Sequence, residues 1–389
     1  MASVIWGSGK SAYSLLMIIT LKIAPKGNII YVPAMKLQAL GFDEWFQQQA
    51  DTSGMSGMQI ARVVAVDREQ YVVQHEGGII PAEVTGKLMF AAASPLDFPT
   101  VGDWVLAQLL DDDGFAIIHA VLPRRSLLKR KTPGKRVEYQ LIGANIDTAL
   151  IMQSLDSDFN LNRLERYLVM AQQENIHPIF LLSKSDLASP EQADELITGV
   201  RSRFEDLTIG LLSSHDASGL EEIKSLLQPF KTYCLLGTSG VGKTTLINCL
   251  LEKEWFATQQ VREKDGKGRH TTTRRQLIML PGGAMLVDTP GMRELGNIDV
   301  ENGIAEVFDD IAQLAEECRY GNCTHTHEKG CAVLGALADG SINQGHYQNY
   351  LKLRKESEFN QMSYLEKKQR DKQFGKMVKS VMKNKPMKR

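Results

Sequence analysis

The spacing of apolar positions along this 389-residue chain changes character twice. Between residues 58 and 124, the runs IARVVAVD (60–67), QYVVQHE (70–76), VGDWVLAQLL (101–110) and GFAIIHAVL (114–122) alternate or are rich in β-branched residues. Gly77-Gly78 and residues 111–114 supply turns between them, and strands this short predict a small antiparallel barrel. The OB-fold is the commonest barrel of this size. From Ile146 the period lengthens. Buried strands at 147–155, 177–187, 207–214 and 232–237 alternate with amphipathic helices at 162–176, 190–204 and 220–230. That alternation predicts a parallel sheet covered on both faces, a doubly wound α/β domain. Beyond Asn297 the chain reads as helical and polar, and after Tyr347 as strongly basic. Five segments follow: an N-terminal extension (1–34), a leader (35–57), the barrel (58–124), the α/β domain (125–296) and a basic helical end (297–389).

Composition narrows the class. Apolar residues make up 43% and charged residues 23%, and the formal net charge is −1. This is a water-soluble profile with no global field for nucleic acid. Phosphate contact must then come from local patches. Arg124, Arg125, Lys129, Arg130, Lys131, Lys135 and Arg136 form one directly after the barrel, which points to a phosphate-rich partner such as RNA. The apolar stretch 15–24 is interrupted by Lys22 and falls well short of the roughly 20 residues that span a bilayer. The five cysteines, an odd number with no secretory pattern, indicate a reducing compartment. A cytoplasmic monomer without membrane contact is expected.

The chemistry begins at Gly237, Thr238, Ser239, Gly240, Val241, Gly242, Lys243 and Thr244, a complete G-x-x-x-x-G-K-[ST] loop between a strand and a helix. Glycines let backbone N–H groups turn toward phosphate oxygens, and the helix N-terminus adds its dipole. Lys243 reaches the terminal phosphates, and the Thr244 hydroxyl ligates Mg²⁺. About fifty residues on, Asp288 and Gly291 make a D-x-x-G at the end of a buried strand. Its carboxylate suits Mg²⁺ and its glycine N–H suits a terminal phosphate. Between the two, His270, Thr271, Thr272 and Thr273 lie in a glycine- and charge-flanked stretch that could close a threonine onto the metal.

Two strand ends supply a base reader. Guanine presents two parallel donors that a single carboxylate accepts together. Asp186, in Ser183-Lys184-Ser185-Asp186, offers that carboxylate, with Lys184 to pack along the ring. Ser213 and Ser214, after the next strand, place a backbone donor for the guanine oxygen. These readers precede the phosphate loop, the reverse of the usual order, so the α/β domain reads as circularly permuted. In that order the switch strand leads directly into the C-terminal segment, and nucleotide state is expected to move it.

Cys318-x4-Cys323-x-His325-x5-Cys331 has the residue types and spacing of a tetrahedral zinc site, with His327 a rival fourth ligand. With the permuted order, GTSGVGKTT, GRHTTT and DTPG, it makes residues 36–389 resemble the RsgA/YjeQ family of ribosome-assembly GTPases. The resemblance implies an OB-fold, a permuted G domain and a zinc domain. It also implies binding to the small ribosomal subunit and its rRNA late in maturation, with subunit-stimulated hydrolysis of GTP to GDP. Thr245 joins the nucleotide site on the same ground, and one zinc falls to Cys318, Cys323, His325 and Cys331. Ser183 departs from the family's Asn or Thr, which implies a weaker contact.

Many GTPases orient the attacking water with a glutamine after D-x-x-G; here Met292 stands there, and a thioether cannot do so. His270 is then the best catalytic candidate in cis, alongside Lys243. Two function classes follow: a switch enzyme released from the subunit by hydrolysis, and an RNA-binding assembly factor for which hydrolysis is incidental.

Overall fold

The computed structural model describes residues 35–55, 57–67, 70–110, 114–131, 139–156, 159–213, 218–252, 275–288 and 301–361. The leader carries a 3-10 turn (Leu37–Leu40) and α1 (Glu44–Thr52), whose first amides are capped by the Asp43 carboxylate. Five strands follow: β1 (Gln59–Asp67), β2 (Gln70–His75), β3 (Gly78–Val84), then α2 (Gly86–Ala91), β4 (Trp104–Leu110) and β5 (Phe115–Val121). They pair in the order β1-β2-β3-β5-β4, and β4 returns to β1, so the sheet closes into a barrel. All pairs are antiparallel except β3–β5, the arrangement of an OB-like barrel. The β3 strand escaped the hydrophobic pattern because Pro81 interrupts it. A hairpin, β6 (Leu127–Lys131) with β7 (Tyr139–Ala144), then leads out of the barrel.

The α/β domain runs β8 (Thr148–Ser154), α3 (Leu161–Gln173), β9 (His177–Ser183), α4 (Pro190–Arg201), β10 (Thr208–Leu212), α5 (Leu220–Leu226), β11 (Thr232–Leu236), α6 (Lys243–Leu251), β12 (Arg275–Met279) and β13 (Met285–Asp288). Its strands lie in the order β10-β9-β8-β11-β13-β12, parallel except for β12 against β13. β8 is buried at every position, as a strand covered on both faces must be. Permutation leaves this layout intact and changes only where the chain enters.

Barrel and α/β domain share one hydrogen-bonded sheet, because β12 pairs with β1 through Ala65↔Gln276 and Val66↔Arg275. Arg62 is buried at that joint. It donates to Gly102 O and Thr232 Oγ1 at 3.2 and 2.8 Å and to Leu40 O, tying barrel, α/β domain and leader together. Burial lowers its pKa to about 10, still above physiological pH. The basic run beyond the barrel is also partly structural. Arg124 is bidentate to the buried Asp103, Arg125 pairs with Asp43, Lys129 with Glu174, and Arg130 donates to Gln140. Those four positives thus have partners within the protein, with Arg125 still exposed, and Lys135 and Arg136 lie outside the described residues.

The C-terminal module comprises α7 (Glu301–Val307), α8 (Asp309–Glu316), α9 (Ala332–Asp339) and α10 (Gln344–Gln361). It docks on α3. Gly303 lets α7 approach closely, since a Cβ there would stand 2.1 Å from Val169 O. Beside that crossing, the fully buried Glu165 carboxylate accepts from Arg203 and His346 at 2.7 Å each and from Asn349. His346 reaches Asp310 with its other nitrogen at 3.1 Å. Burial opposes the charged ring, but Asp310 and Glu165 outweigh it and raise His346 to about 9. A raised folded-state pKa contributes stability that is complete below the unfolded value of 6.5 and lost as pH climbs through 9. Thermal unfolding should therefore show this docking weaken between those values by up to roughly 3 kcal/mol. His346→Gln should flatten the slope, and an unchanged slope would exclude the ring as its source.

Candidate nucleotide and zinc sites

Parallel strands of an open α/β sheet present their ligand sites at their C-terminal ends, and most of the sequence-derived candidates lie along that edge. β11 ends at Leu236 and passes through Gly237, Gly240 and Gly242, with φ of +152°, +85° and +94°, into α6. The first glycine is required by a close approach: a Cβ would stand 2.5 Å from Met152 O. Thr238, Ser239 and Val241 complete the loop, and Lys243, Thr244 and Thr245 open the helix. The Lys243 ammonium donates to Gly237 O at 2.6 Å and Thr238 O at 2.5 Å. It therefore lies curled inside the loop that would receive phosphate.

β13 is the parallel neighbour of β11 and ends at Asp288. Burial raises that carboxyl to about 6. A nearby divalent cation reverses such a shift, and the oxygen donors of Asp288 and Thr244 suit the hard, oxygen-seeking Mg²⁺.

On the other flank, β9 ends at Ser183, and Lys184 follows in a left-handed conformation at φ +57°. Ser185 and Asp186 form a short turn, with Asp186 exposed at the edge. The Ser183 hydroxyl is fully buried and donates to Val241 O in the phosphate loop at 2.7 Å. This serine thus braces one half of the site against the other, a contact with a partner 58 residues away in the chain. Ser213 closes β10, with its amide donating to Ser218 O. Ser214, His270, Thr271, Thr272, Thr273, Gly291 and Met292 lie outside the described residues. Asp156, just beyond β8 and bonded to Lys184 at 3.0 Å, is a polar strand-end residue that sequence reasoning passed over.

In the C-terminal module, Cys318, Cys323, His325 and Cys331 bring four potential ligand atoms within 4.8 Å of one another. Cys318 Sγ lies 3.8 Å from Cys331 Sγ, and His325 Nδ1 lies 3.6 and 3.4 Å from those two sulfurs. A tetrahedral ion with Zn–S near 2.3 Å and Zn–N near 2.0 Å sets edges of about 3.8 and 3.5 Å, which these three separations match, and the thiolate and imidazole donor set fits zinc. The surroundings hold it in place. The Leu334 amide donates to Cys331 Sγ at 3.4 Å, and the Tyr347 hydroxyl donates to His325 O at 2.6 Å. His327 is exposed and bonded to Thr326, outside the cluster.

The RsgA GTPase family matches residues 121–298, and a family described as 50S ribosome-binding GTPase matches residues 232–367. A Vibrio parahaemolyticus protein named small ribosomal subunit biogenesis GTPase RsgA 2 is 40% identical over 349 residues, covering 90% of this chain and 93% of its own length. The Opitutus terrae protein named small ribosomal subunit biogenesis GTPase RsgA is 39% identical, covering 84% and 90%. Among solved structures, YjeQ from Thermotoga maritima superposes with a TM-score of 0.58 at 24% identity, covering 77% of this chain and 98% of that one. YloQ, described as a circularly permuted GTPase, gives 0.57 at 23% identity, covering 80% and 99%. With the Ser183–Asp186 strand end and the phosphate loop meeting at one sheet edge in permuted order, and a Cys₃His cluster in the C-terminal module, the chain belongs to the RsgA GTPase family and is a GTP-hydrolysing enzyme.

Proposed function

We propose that this GTPase acts late in maturation of the small ribosomal subunit, binding rRNA and GTP·Mg²⁺ and leaving the subunit once GTP is hydrolysed to GDP and phosphate. One observation carries the reading. β13 ends at Asp288, and only residues 289–300 separate it from α7, the first helix of the metal-binding module. A γ-phosphate contact at the strand end is thereby linked by a short segment to the module that would hold RNA. Nucleotide state sets subunit affinity through that link.

The relatives' names supply the subunit. The match to a large-subunit family begins only at the phosphate-loop strand and runs on to residue 367, so it leaves the barrel and the base-reading strands uncovered. RNA contact is assigned to exposed aromatic and cationic groups that can stack on unpaired bases. Phe90 in α2 of the barrel is 94% exposed beside Lys87, and Arg319 lies over Tyr320 at the zinc knuckle. In this reading the barrel occupies 58–124, the G domain 125–296 and the zinc module 297–389. The active form is a cytoplasmic monomer. Among the described residues no helix is long and apolar enough to cross a membrane.

Phosphate release from GTP should rise at least about tenfold with purified small subunits and stay at its basal rate with large ones, as for GTPases completed in trans. Equal rates with and without small subunits would instead favour an assembly factor whose hydrolysis is incidental. Stimulation by large subunits alone would assign the wrong particle.

A further inference from the structure

Three strand ends meet in the middle of the nucleotide edge. β8 lies between β9, which leads to the base reader, and β11, which leads to the phosphate loop. The residues just past β8 therefore sit under the centre of any nucleotide laid across the edge. Asp156 is there, and its geometry is tightly set. Its Oδ1 accepts from the buried Ser154 hydroxyl at 2.8 Å, and its Oδ2 accepts from Lys184 Nζ at 3.0 Å. Its backbone carbonyl accepts from Phe159 at 3.1 Å, and the preceding amide, Leu155, donates to Ser183 O at 2.8 Å. The carboxylate is thus anchored to the β9 end, one residue from Lys184.

Lys184 is held from its other end by an uncommon backbone. Its φ of +57° is left-handed, a region that non-glycine residues seldom occupy and that clusters at functional sites. The backbone fixes where the stem begins, and Asp156 fixes where the ammonium ends. A free lysine stem would lose much rotamer freedom when a base packs on it, and holding both ends in advance removes that loss from binding.

We propose that Asp156 is a positioning residue for guanine recognition, holding the Lys184 ammonium so that its aliphatic stem is laid out for the face of the base that Asp186 reads. The inference rests on the proposed base-reading role of Ser183–Asp186. The effect is modest, because side-chain exposures of 33% and 27% leave the pair partly in water, and pairs of that kind seldom contribute more than a few-fold to an equilibrium.

Calorimetric titration of the full-length protein with GDP and with inorganic pyrophosphate tests it. Asp156→Ala should weaken GDP by about threefold to fivefold and leave pyrophosphate unchanged. The decisive comparison is made in Lys184→Met, which keeps an unbranched stem and removes the ammonium: there, Asp156→Ala should have no further effect. Asp156→Asn, which still accepts from Ser154, carries the same comparison if the alanine variant fails to fold. Unchanged GDP affinity in the single variant overturns the proposal, as does an equal loss in the Lys184→Met background or a parallel loss of pyrophosphate. Asp186→Ala separates this from the reading beneath it. If that variant loses GDP while Asp156→Ala does not, only the positioning role falls; if it binds GDP normally, the base-reading assignment falls first.

Discussion

Cys323→Ser should reduce bound zinc from about one ion per chain to nearly none and unfold the C-terminal module around it. A structural zinc contributes an apparent binding energy on the order of 10–16 kcal/mol in small domains that do not fold without it. The described module spans only residues 301–361, a length at which a hydrophobic core alone seldom suffices. Its buried apolar side chains are few, chiefly Phe308, Ile311, Val333, Ile342, Tyr347 and Leu353. Two of its helices depend on the cluster directly. Cys331 is the N-cap of α9, and Tyr347 of α10 is bonded to the His325 carbonyl. A serine oxygen is a poor substitute for thiolate at a zinc ion, so three remaining ligands should not retain it. Elemental analysis gives the metal content, and hydrogen exchange over residues 318–353 gives the unfolding. His325→Ala should behave like Cys323→Ser, whereas His327→Ala should keep its metal. Full zinc content in Cys323→Ser would remove the cysteine from the site. The α3 crossing at Gly303 and the Glu165 cluster have bonds of their own, so damage should be greatest beyond α8.

The parts legible in the sequence are those whose physics is local. A phosphate loop needs glycines and a lysine at fixed offsets, a zinc knuckle needs its cysteines close together, and a buried strand such as β8 carries an unbroken apolar run from Ala149 to Met152. What stayed hidden depends on residues far apart in the chain. Glu165 reads as an ordinary charge on an amphipathic helix until α10, some 180 residues later, brings His346 and Asn349 onto it. Arg62 reads as a polar position in an alternating strand, yet its partners are Leu40, Gly102 and Thr232. The pairing within the basic run at 124–136 was hidden for the same reason: charge density is visible in a sequence, and whether a charge is already paired is not. Ser183 is the subtlest case, because nothing in its sequence neighbourhood shows that the fold places Val241 O within its reach. Strand β12 was missed because its five residues, RQLIM, carry too little pattern to announce themselves.

His270→Ala should leave GTP affinity nearly intact while turnover on small subunits falls by roughly two orders of magnitude or more, the usual scale for a positioned acid–base group. The motive is chemical first. Met292 cannot orient an attacking water, so another group must. Topology then favours His270. β12 runs antiparallel to β13 with Gln276 opposite Asp288, so the chain enters β12 at the edge where Asp288 ends, and His270 precedes that entry by five residues. A neutral histidine ring can accept a hydrogen bond from an attacking water. Lys243→Ala is the control. Its ammonium belongs to the phosphate loop itself, so its loss should damage GTP binding and turnover together, whereas a water-orienting group affects turnover alone. Single-turnover hydrolysis on saturating small subunits, with GTP affinity measured separately, distinguishes the two patterns. If His270→Ala hydrolyses GTP at the normal rate while bound to the subunit, the orienting group is not this histidine, and a group supplied by the ribosome takes its place.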